Sequence, residues 1–329
     1  MANVWADCGE SYERSDDKKM VPENFSVGMF FLSQTVVGIL GNWLLLFYYF
    51  MSFFTGKNLM PKDAILKHVT LANSLSIISR GIPQSMAGLG LKDFLDDNGC
   101  KFVMCLFRIA RGATLHSSSL LSCFQAITVS QSNSRFMKIK QRVMKYIVPS
   151  CSFSWLAHLF LNIRIAMTVT ALDTNRNFTK KLYVGYYCSP IGSDGPVSLL
   201  YFFFIGFIDI LYLCIMAWTS ISMVSFLYRH KKHVRNIHSS QHALRASPVA
   251  RATQVILILV CTYITSYAMS FIFILYIILC NNQKLWLMNT LALLENCFPT
   301  LFPFIVMKNN NNKNNNSTFS IHFSCHRNK

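Results

Sequence analysis

Residues 25–51 read FSVGMFFLSQTVVGILGNWLLLFYYFM and contain no charged residue. This stretch exceeds the roughly 20 residues that an α-helix needs to cross the hydrocarbon layer of a membrane. Further apolar stretches of similar length follow it, so the chain predicts an all-α membrane protein, a bundle of seven transmembrane helices. The other six stretches lie near 64–88, 102–129, 146–171, 197–227, 252–279 and 285–307.

The segments between these stretches carry their positive charge on one side of the predicted membrane. With an extracellular N-terminus, the inward segments hold 17 Lys and Arg against one acidic residue, Asp63. The outward segments hold 8 Lys and Arg against 11 acidic residues. Because cytoplasmic loops are enriched in Lys and Arg, we expect a multi-pass plasma-membrane protein with its N-terminus outside. The glycosylation sequon at Asn177 then lies in an outward loop, which predicts a glycan there.

The composition excludes several other classes of protein. Hydrophobic residues make up 52% of the chain and charged residues 14%. The net charge of +17 is divided among short loops, whereas a nucleic-acid-binding protein needs a contiguous basic face. The catalytic patterns His-Glu-x-x-His and Gly-x-Ser-x-Gly are absent, so we expect no enzyme. Without a convincing spacing of ligands, we also expect no metal site and no cofactor.

The chain divides into three predicted parts. Residues 1–24 form an extracellular polar segment, and residues 25–307 form the receptor domain. Residues 308–329 form an asparagine-rich cytoplasmic tail, which we expect to be disordered because it cannot bury a core. The N-terminal segment lacks the apolar region of a signal peptide, and Met20 is an alternative start just before the apolar pattern begins.

Charged residues inside the membrane are rare and mark functional sites by default. Counting about 1.5 Å per residue, Arg108 lies about 12 Å, Arg111 about 16 Å and Glu295 about 14 Å from the outer ends of their helices. Two interpretations follow from these matching depths. Arg111 either contacts a ligand or forms a structural pair with Glu295, in which each charge offsets the burial of the other.

Other polar residues in the spans suggest structural roles. We expect Asp209 to be an interhelical hydrogen-bond partner and Arg80 to extend toward the outer headgroups. His116 and His158 are expected to be core histidines with satisfied hydrogen bonds.

Several ordered motifs resemble those of the vomeronasal type 1 receptors, which are pheromone-sensing G-protein-coupled receptors. The resemblance covers about residues 21–307, and it includes the absence of Asp-Arg-Tyr after the third helix and of Asn-Pro-x-x-Tyr in the seventh. The motifs are LSQTVVGILGN at 32–42, LANSL at 71–75, RGIP at 80–83, FRIARG at 107–112, LLSCFQAIT at 120–128, RASP at 245–248 and FPT at 298–300.

This resemblance implies a chemosensory receptor that binds a small, pheromone-like molecule in the outer part of the bundle and activates a heterotrimeric G protein of the inhibitory class. It also implies a disulfide bond between Cys100 and Cys188. The candidate ligand-binding residues are Phe107, Arg108, Arg111, Leu115 and Glu295. The candidate G-protein-facing residues are Arg135, Lys138, Arg245 and Arg251.

Two other functions are compatible with seven apolar helices. A bitter-taste-type receptor also lacks the usual rhodopsin-like motifs, but its characteristic sequences do not occur here. A small-molecule transporter would be expected to show inverted repeats with paired broken helices, and the sequence contains neither.

Overall fold

The computed structural model describes residues 22–55, 61–91, 94–129, 134–171, 188–190, 196–237, 248–280 and 285–326. Within these ranges the chain forms seven α-helices, as predicted, and one pair of short antiparallel strands that was not predicted. The elements are α1 (Pro22–Phe54), α2 (Pro61–Gly88), α3 (Asp97–Val129), α4 (Ser134–Thr168), β1 (Val169–Ala171), β2 (Cys188–Pro190), α5 (Pro196–Ile237), α6 (Pro248–Cys280) and α7 (Leu285–His326).

Proline marks the first position of four of these helices. The missing N–H of proline costs nothing there, because the first N–H groups of a helix have no partner within it. Proline is therefore tolerated at the first position of a helix, although it would interrupt a helix that began earlier in the chain. The residues are Pro22, Pro61, Pro196 and Pro248.

Five of the described helices are long and apolar enough to cross a membrane by length and composition, namely α1, α4, α5, α6 and α7. The other two, α2 and α3, bury many polar groups between their neighbours. These include amide, hydroxyl and guanidinium groups such as those of Asn73, Gln84, Arg80, Ser117 and Gln125. A helix surrounded by other helices has little contact with lipid, so its side chains need hydrogen-bond partners rather than an apolar surface.

The first two helices approach each other closely near the outer end of the predicted bundle. A Cβ atom placed on Gly28 of α1 would lie 2.5 Å from the backbone carbonyl carbon of Gly88 in α2. Neither residue can therefore carry a side chain without separating the helices. Small residues allow this approach between membrane helices, where van der Waals packing drives association.

The largest apolar cluster fills the half of the bundle that the sequence predicts to be cytoplasmic. It combines residues from all seven described helices, with rings stacked edge to face where Tyr263 of α6 meets Phe298 of α7 at 4.5 Å between ring centroids. Leu45, Ile65 and Met216 are almost fully buried in the same cluster. The charged residues Arg111 and Glu295 lie beside this cluster, next to Tyr263 and Phe298.

The backbone of α7 is helical past residue 307 to His326, through the asparagine-rich segment for which the composition predicts disorder. The division of the chain into residues 1–24, 25–307 and 308–329 stays a prediction.

Candidate ligand-binding site

A disulfide bond fixes the end of the bundle at which α3 begins. The Sγ atoms of Cys100 and Cys188 lie 2.06 Å apart, as predicted. Both cysteines are buried and pack with Met104 of α3 and Val169 of β1. Strand β2 pairs with β1, so that Ala171 lies opposite Cys188. The segment after α4 is therefore tied to the first turn of α3, and we refer to this as the disulfide end.

Glu295 of α7 is the centre of a buried triad of charges. Its Oε1 lies 3.0 Å from Nη1 of Arg111 in α3, and its Oε2 lies 3.2 Å from Nε of Arg80 in α2. The side chains of Arg80, Arg111 and Glu295 are 3%, 14% and 7% exposed. The pairing of Arg111 with Glu295, one of the two interpretations of the sequence, is thus present. The triad joins three helices and carries a formal charge of +1.

Arg80 lies elsewhere than the sequence suggested. It was expected to extend toward the outer headgroups, but it is 2% exposed. Its Cζ lies 5.5 Å from the ring centroid of Phe107, in a cation–π contact. The expectation was wrong because α2 is an interior helix, and Glu295 supplies a counter-charge that offsets the burial of the guanidinium.

The triad continues through aromatic and hydrogen-bond contacts to two more helices. The Cζ atom of Arg111 lies 4.5 Å from the ring centroid of Tyr267 in α6. The hydroxyl of Tyr267 donates a hydrogen bond to the carboxylate of Asp209 in α5, which confirms the predicted role of Asp209. We call Arg80, Glu295, Arg111, Tyr267 and Asp209 the charge network. It connects α2, α7, α3, α6 and α5 in one chain of contacts.

Two narrow clefts meet at Arg111, which lines both of them. The first cleft lies between α2, α3, α6 and α7. The second lies between α3, α4 and α5. Tyr263, Tyr267, Glu295, Ser76, Thr114 and Phe298 line the first cleft. Arg108, His158, Asn162, Ile205 and Asp209 line the second.

The five predicted ligand-binding residues are divided by the structure. Arg108 lines the second cleft, Glu295 the first and Arg111 both. Phe107 and Leu115 line neither cleft and are 3% and 0% exposed. Helix α3 contacts α2, α4, α5 and α6, so most of its surface is covered by other helices. Helical periodicity alone therefore could not separate cleft residues from packing residues on this helix.

The two core histidines differ in their surroundings. His116 Nδ1 lies 3.1 Å from the hydroxyl of Tyr212, and its Nε2 lies 3.2 Å from the hydroxyl of Ser150. His116 is thus a satisfied core histidine, as expected. His158 is also buried, but it lines the second cleft, where its ring lies against Gly112 of α3.

The predicted cytoplasmic and extracellular sites are only partly covered by the structure. The backbones of Arg135 and Lys138 belong to the first turns of α4, and that of Arg251 belongs to the first turn of α6. Arg245 and Asn177 lie outside the described residues. The roles proposed for these residues therefore stay predictions.

Sequence reasoning missed three residues that belong to the charge network or line the clefts. Arg80 was seen as a charge but not as a partner of Glu295, and Tyr267 was one of several tyrosines in an apolar stretch. Asn162 had no motif around it. The available signal was the polarity of each residue inside a predicted span, since buried polar groups need partners.

Comparison with known proteins relates the chain to one family of receptors. The sequence profile of the vomeronasal organ pheromone receptor family matches residues 25–317. Human vomeronasal type-1 receptor 4 is 42% identical over 288 residues, which cover 88% of this chain and 95% of that receptor. Human vomeronasal type-1 receptor 1 is 37% identical over 308 residues, covering 93% and 86% of the two chains. Olfactory receptor class A-like protein 1 of Danio rerio is 28% identical over 288 residues, covering 86% and 89%.

Proposed function

The chain belongs to the vomeronasal organ pheromone receptor family, and we propose that it detects a pheromone-like small molecule in the clefts around Arg111. It is a multi-pass chemosensory receptor of the G-protein-coupled class and not an enzyme. Membership of this family replaces the bitter-taste and transporter alternatives. The finer points, namely the kind of ligand, its contacts and the class of G protein, are the proposal.

The charge network is the observation that carries the proposal. A ligand can activate a receptor only if it binds one arrangement of the helices more strongly than another. Arg111 touches both clefts and is held by Glu295 of α7 and by the ring of Tyr267 in α6. A ligand that contacts Arg111 competes with these two contacts. It therefore changes how strongly α6 and α7 are held to α3.

We infer that the receptor lies in the plasma membrane with an extracellular N-terminus. The charge asymmetry of the loops favours this orientation, and a disulfide at the opposite end from the basic loops suits an oxidising compartment. Asn177 is then extracellular and accepts a glycan. Asn177→Gln should remove one glycosidase-sensitive step in gel mobility, and an unchanged mobility at normal surface expression would contradict both the site and the topology.

The cytoplasmic ends of the helices provide the surface for the G protein. We infer that Arg135, Lys138, Arg245 and Arg251 contribute to it, because they lie at inner ends of the predicted spans, and that the G protein is of the inhibitory class by family resemblance. The double variant Arg245→Glu/Arg251→Glu should lose signalling while surface expression stays near normal. The matched control is Lys308→Glu, a basic residue of α7 outside this set.

The direct test is a ligand screen in cells that co-express inhibitory-class or other G proteins, with nucleotide exchange as the readout. The receptor should respond to at least one small organic molecule, and Arg111→Gln should weaken that response at equal surface expression. Normal response and normal expression in Arg111→Gln would reject the role of the clefts. Full signalling in the Arg245→Glu/Arg251→Glu variant would show that these charges only orient the helices.

A further inference from the structure

The second cleft contains a buried acceptor that the charge network does not use. Asn162 of α4 is 3% exposed, and its Nδ2 donates a hydrogen bond of 2.8 Å to the carbonyl of His158. Its Oδ1 has no hydrogen-bond partner among the residues that the structure describes. A buried acceptor left without a donor destabilises the protein, because it loses its hydrogen bond to water and gains none. This oxygen is therefore a position where a donor from another molecule stabilises the protein.

The same cleft contains a cation without a counter-ion among the described residues. Arg108 lines it and forms no ion pair or hydrogen bond within the described part of the chain. Of the described residues that line this cleft, Asp209 alone has a carboxylate, which accepts the hydrogen bond of Tyr267 and also faces Arg111. Arg80, Arg108 and Arg111 thus share two carboxylates, those of Asp209 and Glu295. The formal charges of these five groups sum to +1, which an anion can neutralise.

The packing of α3 against α4 sets Arg108 and Asn162 at the same depth. The ring of His158 lies against Gly112, where a Cβ atom would be only 2.3 Å from Nδ1. The two helices run antiparallel, because the first turn of α3 packs beside β1, which directly follows α4. Arg108 lies one turn from Gly112, and Asn162 lies one turn from His158. Both steps of about 6 Å point toward the disulfide end.

The remaining walls of the cleft are apolar. Leu161, Ile205 and Ile208 line it beside the polar groups. The hydroxyl of Tyr201 in α5 donates a hydrogen bond of 2.6 Å to the carbonyl of Leu161, which holds α4 and α5 together next to the cleft. An apolar cleft with a few convergent polar groups is the usual form of a small-molecule site.

We propose that the second cleft is a ligand subsite for an organic anion that carries a hydrogen-bond donor close to its acidic group. Arg108 is the counter-ion of the acidic group, Asn162 Oδ1 accepts from the donor, and Leu161, Ile205 and Ile208 contact the apolar part. Hydroxy acids and N-acyl amino acids have this chemistry. The inference rests on the proposed function, because it names the class of ligand for the receptor.

Three related probes separate the two polar contacts. 3-Phenyllactate has the anion and the donor, 3-phenylpropionate lacks the hydroxyl donor, and methyl 3-phenyllactate lacks the charge. Binding is measured on the full-length receptor in lipid nanodiscs, by ligand-dependent thermal stability and by equilibrium titration. 3-Phenyllactate should bind more tightly than each of the other two by about tenfold, since one hydrogen bond or charge contact of this kind is worth about 1.4 kcal/mol.

The variants assign each preference to one residue. Asn162→Leu should remove the preference for phenyllactate over phenylpropionate and leave the affinity for phenylpropionate unchanged. Arg108→Gln should remove the preference for the acid over the ester. If Asn162→Leu does not fold, the isosteric Asn162→Asp serves in its place, and its added negative charge should weaken binding of both acids. Cys214→Ser, at an exposed position of α5 away from both clefts, is the control and should retain both preferences.

Two outcomes would overturn the subsite. Absence of binding by 3-phenyllactate would reject this class of ligand. Preferences that persist in Asn162→Leu and Arg108→Gln would show that these groups are satisfied by water or act elsewhere. The readout is binding and not signalling, so either failure leaves the proposed receptor function standing. Binding that depends on both residues, without any activation of a G protein, would instead contradict the proposed function.

Discussion

Helices α3 and α5 distribute their polarity in opposite ways. Helix α3 buries polar and charged groups, and Ser117, Ser122 and Leu115 on it are fully buried. Helix α5 exposes large apolar side chains instead, with Phe203 63% and Trp218 74% exposed. This pattern is the reverse of a water-soluble bundle, because the solvent around α5 is lipid. In this protein the specific contacts between helices thus involve buried polar side chains, whereas the apolar side chains of α5 face lipid.

The largest effect is expected from removing the Glu295 carboxylate, which pairs with Arg111 of α3 and with Arg80 of α2. Glu295→Gln leaves both Arg80 and Arg111 without this counter-ion, whereas Arg111→Gln leaves Glu295 paired with Arg80. Breaking a buried pair costs about 3–5 kcal/mol, so Glu295→Gln should lower surface expression much more than Arg111→Gln. Equal expression of the two variants, measured by surface labelling, would contradict a shared carboxylate.

A charge swap sharpens the same point. Arg111→Glu with Glu295→Arg restores one opposite-charge pair but places an arginine beside Arg80. The swap should therefore recover only part of the surface level that Glu295→Gln loses. Full recovery in the same surface-labelling measurement would show that Arg80 contributes little to the triad.

The next effect concerns the disulfide end of α3. Replacing Cys100 and Cys188 by serine opens a covalent loop of 88 residues, and loss of a native disulfide typically costs about 2–5 kcal/mol. The double variant should unfold at a lower temperature in nanodiscs than the parent receptor. Cys214→Ser, on an exposed position of α5, should leave the unfolding temperature unchanged.

A pair of glycines compares the two helices directly. A Cβ on Gly112 of α3 would lie 2.3 Å from the His158 ring, whereas one on Gly206 of α5 would meet only Phe271, at 3.8 Å. Overpacking of this kind costs about 1–3 kcal/mol. Gly112→Ala should therefore destabilise the receptor, and Gly206→Ala should be neutral or slightly stabilising. Thermal unfolding of the two variants, measured side by side, tests this expectation. An equal loss of thermal stability in both variants would contradict the close contact between α3 and α4.

The smallest effect is expected at the lipid-facing surface of α5. Trp218→Leu replaces one apolar side chain in lipid by another, so the free energy of unfolding should change by less than about 0.5 kcal/mol. A large loss of stability or of surface expression would indicate that this face packs against protein in the membrane.

The number of helices, their expected orientation and the family of the protein could be predicted from the amino-acid sequence alone. Seven apolar stretches and one-sided basic loops need no tertiary information, because the membrane imposes its thickness and its charge rule on every span. The matching depth of Arg111 and Glu295 also followed from position along the chain. The disulfide between Cys100 and Cys188 followed from the family resemblance, which the ordered motifs of the sequence carry.

Which polar groups contact one another could not be predicted without the packing of the helices. Arg80 joins Glu295, Tyr267 links Arg111 to Asp209, and Gly112 lets His158 bring Asn162 level with Arg108. These contacts depend on how each helix is rotated and shifted against its neighbours. Rotation and shift are set by packing between helices, through contacts such as the close approach of His158 to Gly112, and no single helix contains that information.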